Sequence, residues 1–431
     1  MNSSAEPRIL VIQVAALGYD LVERFPDAFS TLPLTFHRLT PVFPAVTCTA
    51  QASLRTALAP EQHGMTSNGY FERQLRKAFF WEQSAAQVEG ARIWDQFRAS
   101  GGTVGTFCVQ QSLGESLDVV LSPAPIHKHS GGLVQDCYTR PPGLYHDLIR
   151  RVGRSFNLFH YWGPFASFKS TKWITDATAA LISDTQSAPD LLWTYLPHLD
   201  YGLQKYGPHE EKRLQKAVNQ LVQCLQKLIA AAEHAGYSVL IWGDYSIEPA
   251  SKPVRLNRVL REHGLFRTRN VKGMEYPDLY DTPAVAIADH QIAHIYRNDA
   301  SVNLSDMQSM LENTDGVEQV WENSAQQHAH AGDLVAVAEP EAWFSYKWWY
   351  EDRHAPDYAC HMDIHNKIGF DPCELFFGRL PNLVSMNDAR VKGTHGRTDR
   401  PVAYGTTLDF NRSDIHTHLD LSRNLKSLLK T

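Results

Sequence analysis

The chain has 431 residues, a formal net charge of −6 at pH 7, 43% hydrophobic residues and 20% charged ones. Those proportions exclude extended disorder, and the acidic balance excludes a broad nucleic-acid surface, which needs clustered Lys and Arg to meet phosphates. The length suffices for one large α/β domain with a sizeable core.

The first eight residues lack a basic leader, and the apolar run 9–17 is too short to span a membrane. A cytoplasmic protein with no membrane partner is therefore expected. Residues 8–16 (RILVIQVAA) read as a strand buried on both faces of a parallel sheet. The stretch Pro44-Ala45-Val46-Thr47-Cys48-Thr49 then ends an extended run and opens a helix. It places Thr47 as an N-cap, where free N–H groups and positive partial charge favour an anion.

Apolar runs recur at 103–109, 190–196 (DLLWTYL), 237–243 (YSVLIWG) and 284–288 (AVAIA). Helical stretches between several of them predict a βαβ alternation. The clearest helix covers 210–234, with Leu214, Val218, Leu221, Leu225 and Leu228 at three- and four-residue spacing and Gly236 as its stop. Residues 122–173, rich in Pro, Gly, His and aromatics, are expected to form an inserted cap. A second irregular stretch, 339–384, is expected to form the other wall of a cleft within a single 1–431 domain. The six cysteines have no CxxC spacing, so neither a zinc knuckle nor a disulfide framework is expected.

Four polar clusters follow strand-like runs or lie in turns, where ligands collect in open α/β sheets. They are His198-Leu199-Asp200, Asp244-Tyr245, Asp289-His290 with His294, and His395 in Gly393-Thr394-His395-Gly396. If 289–296 is one strand, His290, Ile292 and His294 share a face and either ligate a metal or pair with carboxylates in a sheet core.

The order of these features resembles the alkaline phosphatase superfamily, specifically its nucleotide pyrophosphatase/phosphodiesterase branch. The resemblance rests on Thr47 through Pro60-Glu61-Gln62-His63-Gly64, Asp200 through Gln204 to Tyr206-Gly207-Pro208, Asp244 after a strand, and the late Gly-x-His-Gly. It implies an α/β, alkaline-phosphatase-like three-layer sandwich with a mixed, mostly parallel central sheet and the inserted cap. It also implies Thr47 as a nucleophile between two zinc ions. One family metal site matches Asp200, Gln204 and His395, the other Ala15, Thr47, Asp244 and Tyr245, so three family ligands are replaced. Ala50 stands where the family places a phosphate-binding asparagine.

Three accounts follow. A rebuilt single-metal site could join His198 and Asp200, two apart on an extended segment, with Asp363, His365 and His395. The chain could instead be a pseudoenzyme that binds a phosphorylated small molecule. Or Lys367, Lys392 or Arg397 could supply the charge that zinc no longer does. The cofactor expectation is a divalent metal, zinc first, in fewer than two ions, with a metal-free site as the remaining option. The functional expectation is hydrolysis of a phosphodiester or pyrophosphate bond in a small-molecule phosphate ester or nucleotide-like substrate, with Thr47 as nucleophile or phosphate anchor.

Overall fold

A strand with no solvent-facing side needs apolar residues at successive positions, and Ile9–Val14 (β1) meets that need with every residue buried. The computed structural model describes residues 8–128, 132–323, 328–380 and 383–430. Its main sheet also contains Phe36–Leu39 (β2), Val104–Phe107 (β3), Val119–Ser122 (β4), Tyr138–Arg140 (β5), Leu191–Leu196 (β6), Ser238–Gly243 (β7) and Val402–Thr406. Strands β7, β1, β6, β3 and β4 run parallel in that spatial order, with β1 at the centre. Antiparallel β5 closes one edge, and Val402–Thr406 followed by β2 closes the other.

Alternate residues of β1 face different helical layers. Leu10, Ile12 and Val14 join the core formed with Phe168–Ile182 and Glu211–His234, whereas Ile9 and Val11 join the core containing Ala50, Leu54, Leu421 and Leu425. The second layer is built from Thr47–Thr56 (α1) and His418–Leu428, which pack together. The long helix Glu211–His234 buries the predicted stripe Leu214, Val218, Leu221, Leu225 and Leu228. The arrangement is the expected three-layer sandwich with a mixed, mostly parallel sheet.

The run at 284–288 departs from its expected place in the alternation. It forms Ala284–Asp289 (β8), which pairs antiparallel with Ile292–Arg297 (β9) in a separate four-stranded sheet with Val317–Glu322 (β10) and Leu334–Ala338 (β11). A βαβ unit needs a long crossover, but only two residues separate β8 from β9, so an antiparallel hairpin is the available pairing. This sheet has its own core, where Trp348 and Trp349 are buried. Among the described residues, no helix is long and apolar enough to cross a membrane.

Candidate active site

Thr47 lies at the first helical position of α1, one residue beyond the predicted N-cap, because extended Val46 takes the cap position. The junction is pinned from the far end of the chain. Gly396 O accepts the Ala45 N–H at 2.9 Å, and His395 Nδ1 donates to Ala45 O at 2.8 Å. Gly396 has φ +130°, and an added Cβ would lie 3.1 Å from Ile292 and 3.3 Å from the Gln291 nitrogen, so the Gly-x-His-Gly turn needs its last glycine.

Thr47 is at the floor of a cavity of about 770 Å³. Residues 122–173 contribute Leu133, Phe159, Trp162 and Phe165 to its walls, and residues 339–384 contribute Met362, Ile364, Phe370 and Phe377. The first of these segments also supplies edge strand β5 and part of the helical layer, beyond a cap alone. No Lys or Arg lines the cavity among the described residues, and none occurs among the others. Lys367 instead forms a buried ion cluster with Asp371 at 2.8 Å and Glu374 at 2.6 Å. Lys392 Nζ donates to Ala389 O, and Arg397 pairs with Glu318 and Asp399. The three cations considered from sequence are thus held outside the cavity.

Asp200, Gln204, Tyr245 and His395 meet at the cavity floor beside Thr47. Asp200 and Gln204 are one turn apart on His198–Tyr206 (α2), and the Gln204 amide donates to Asp200 Oδ1 at 2.8 Å. The Tyr245 hydroxyl donates to the same oxygen at 3.0 Å. The phenols of Tyr195 and Tyr245 both interact with the Thr47 hydroxyl. Burial raises Asp200 above the usual carboxylate range, against the hydrogen bonds that favour its charge. Tyr245 stacks on His395 with ring centres 3.5 Å apart and planes 4° apart. Burial and neighbouring His290 hold His395 well below the ordinary imidazole value, so its ring is neutral.

Asp244 follows β7 as expected, but its carboxyl is sealed under the floor. Gln13 Nε2 donates to Oδ2 at 2.8 Å, and the Ala16 and Tyr245 backbone N–H groups donate to Oδ1 at 3.1 and 3.0 Å. Gln13 Oε1 in turn accepts from Gln51 of α1 at 2.8 Å. Burial pushes Asp244 up to about 8 despite these donors.

The other residues of the rebuilt metal set are dispersed. His198 and Asp200 lie on a helix, not on an extended segment, so a two-residue spacing turns them to different sides. His198 Nε2 bonds Ala217 O at 3.0 Å and packs edge-on against Phe168. Asp363 closes its own turn, accepting from the Asn366 backbone at 3.1 Å and side chain at 2.7 Å. His365 does line the cavity, where its Nδ1 bonds Phe80 O at 2.9 Å.

Zinc requires three or four N, O or S donors converging on one point. Among the described residues no group of three His, Cys, Asp or Glu side chains is placed to hold a metal ion. An amide, not a cation, occupies the second carboxylate oxygen of Asp244, and Ala15, Gln204 and Tyr245 stand where the resemblance calls for ligands. The donor set does not fit the family's two-metal centre.

The hairpin between β8 and β9 brings in a group absent from the predicted site. His290 occupies its tip in a left-handed conformation, φ +59°, so His290 and His294 do not share a strand face. Its ring is stacked between Phe370 at 3.8 Å and His395 at 3.7 Å, and its Nδ1 lies 2.7 Å from Asp289 Oδ1. Gln291 N–H donates to His395 O at 2.9 Å, joining the hairpin to the Gly-x-His-Gly turn. The Asp289-His290 dipeptide was visible in the sequence, and Gln13 was the one polar residue in the buried run 9–17. Only the fold shows what each faces.

Structural comparison gives full-length likenesses. Phosphonoacetate hydrolase from Sinorhizobium meliloti 1021, in complex with phosphonoformate, is 13% identical with TM-score 0.64, over 98% of this chain and 96% of that one. The same enzyme with phosphonoacetate gives TM-score 0.62 at 13% identity over the same shares. An inactive form of murine ectonucleotide pyrophosphatase/phosphodiesterase 5, in complex with AMP, is 14% identical with TM-score 0.60, over 98% and 95% of the two chains. No curated protein matches the sequence. The family model for type I phosphodiesterase/nucleotide pyrophosphatase matches residues 11–371. With that match over most of its length and the three-layer sandwich around Thr47, the chain belongs to the type I phosphodiesterase/nucleotide pyrophosphatase family of hydrolases, within the alkaline phosphatase superfamily.

Proposed function

We propose that this protein cleaves a phosphodiester or pyrophosphate bond of a small molecule, with Thr47 as the attacking hydroxyl and a largely apolar or aromatic group held by the cavity walls. The observation that carries this reading is the position of Thr47, at a helix N-terminus on the floor of a cavity of about 770 Å³. The Thr47 oxygen would bond phosphorus as the bond to the leaving oxygen breaks. The Thr47 proton has a route through the Tyr245 hydroxyl, which donates to Asp200 at 3.0 Å. Water then cleaves the phosphothreonine and restores the hydroxyl. Aromatic walls and the lack of Lys or Arg favour a substrate with one negative charge over a polyphosphate.

Binding without turnover is the second reading, favoured by the protein donors that occupy both oxygens of Asp244. One experiment separates the two. Wild type should hydrolyse an aryl phosphodiester, and Thr47→Ala should lower kcat by at least about a hundredfold, as expected for loss of a nucleophile. Unchanged turnover in pure Thr47→Ala protein removes Thr47 from the mechanism, whereas a wild type that binds the diester without cleaving it selects the second reading.

A further inference from the structure

Among the described residues that line the cavity, Tyr161 Oη, Gln204 Oε1 and His290 Nε2 are buried polar atoms with no hydrogen-bond partner. His290 is 4% exposed and lines the cavity, and its Nε2 has no hydrogen-bond partner. A buried polar atom without a partner is costly, so a site that keeps one is shaped for something that completes it. The rest of the ring is tightly held. Nδ1 bonds Asp289, Phe370 and His395 cover the two faces, and the backbone sits at the tip of the β8–β9 hairpin.

Asp289 is itself positioned. Its Oδ2 accepts from Ser67 Oγ at 2.6 Å and from Asn68 N at 2.8 Å, and its Oδ1 accepts from Asn68 Nδ2 at 3.1 Å. Burial alone would raise its carboxyl, but the bond to His290 and these donors bring it down to about 2, so it is ionised. Asn68 also accepts the N–H of Cys48, the residue after Thr47, at 3.0 Å. The dyad and the threonine are therefore braced by the same asparagine. With Nδ1 engaged by Asp289, Nε2 is the ring atom left for a ligand, and an anionic oxygen can meet it only as an acceptor.

We propose that His290 Nε2, oriented by Asp289, donates a hydrogen bond to an anionic phosphoryl oxygen of the ligand, the contact that a metal ion would otherwise supply. The proposal rests on the reading that the cavity takes a phosphate ester. The competing role is structural: the ring simply fills the stack between Phe370 and His395. His290→Phe keeps an aromatic ring in that stack and removes the nitrogens, so it separates the roles.

The probe is phenyl methylphosphonate, a non-nucleotide monoanion, titrated into full-length wild type and His290→Phe by calorimetry. The wild type should bind it, and the variant should bind about tenfold more weakly or worse, the scale of a charge-assisted hydrogen bond. On the unmutated protein, the His290 Nε2 nitrogen resonance should shift when the probe saturates the site. Equal affinity in His290→Phe, or a His290 resonance unmoved at saturation, overturns the assignment of His290 while leaving the phosphate-ester reading standing. A wild type that fails to bind the probe at millimolar concentration overturns that reading and this inference with it.

Discussion

Asp244 shows what one altered position does to a site. Its carboxyl is fully buried, and burial raises it to about 8 although Gln13, Ala16 and Tyr245 donate to it. A carboxyl raised above its unfolded value of about 3.9 binds a proton in the folded state that the unfolded chain has lost. Its stabilising contribution is complete below pH 4 and disappears as pH rises toward 8. Wild-type melting temperature should therefore decline across that window, and Asp244→Asn, which cannot ionise, should show a shallower decline. Equal slopes for the two proteins in parallel melts would show that Asp244 is ionised at low pH. The same residue explains why the predicted metal set was only partly legible. Ala15 and Tyr245 could be read as lost ligands, but not that Gln13, two residues before Ala15 on β1, would hand its amide to Asp244.

The β8–β9 hairpin and the segment carrying Lys367 are the two elements that complete the cavity. Lys367, Asp371 and Glu374 form a buried cluster, and Glu374 also accepts from Trp162 Nε1 at 2.6 Å and from the Asp363 N–H at 2.9 Å. The cluster thus ties the wall around residue 365 to the wall around residue 162. Replacing Lys367 by Met would leave two buried carboxylates without their cation, a change that typically costs about 3–5 kcal/mol. Lys367→Met should lower stability by that order in urea melts at pH 7, and by less near pH 5, where the carboxyls can take up protons instead. A loss below about 1 kcal/mol at pH 7 would show that the cluster is no brace. Sequence suggested Lys367 as a free cation because the polar run 362–372 does not show which charges face one another. The histidines of 289–296 posed the same difficulty, since a two-residue turn in the middle of the run moved His290 off the strand.

At the scale of the whole chain, a family fold is retained while Ala15, Gln204 and Tyr245 stand at positions where the resemblance calls for metal ligands. Protein purified without chelators should contain less than one zinc per chain, and prolonged chelation should leave its melting temperature unchanged, because structural zinc contributes directly to folding stability where it is bound. Elemental analysis returning one or more equivalents would show that side chains regroup around an ion. Much of the sandwich was legible from sequence alone. The strands at 8–16, 103–109, 190–196 and 237–243 have no polar face, and the helix at 210–234 has a single apolar stripe, patterns that admit burial on both faces or on one. The order of Thr47, Asp200, Asp244 and His395 likewise lies in the chain itself, and with it the family. The pairing of β8 with β9, the turn of His198 toward Ala217, the capture of Asp244 by Gln13 and the partnerless Nε2 of His290 were decided by tertiary structure. Periodicity reports which side of an element is apolar, but which polar groups meet across 200 residues of chain depends on how separate elements pack.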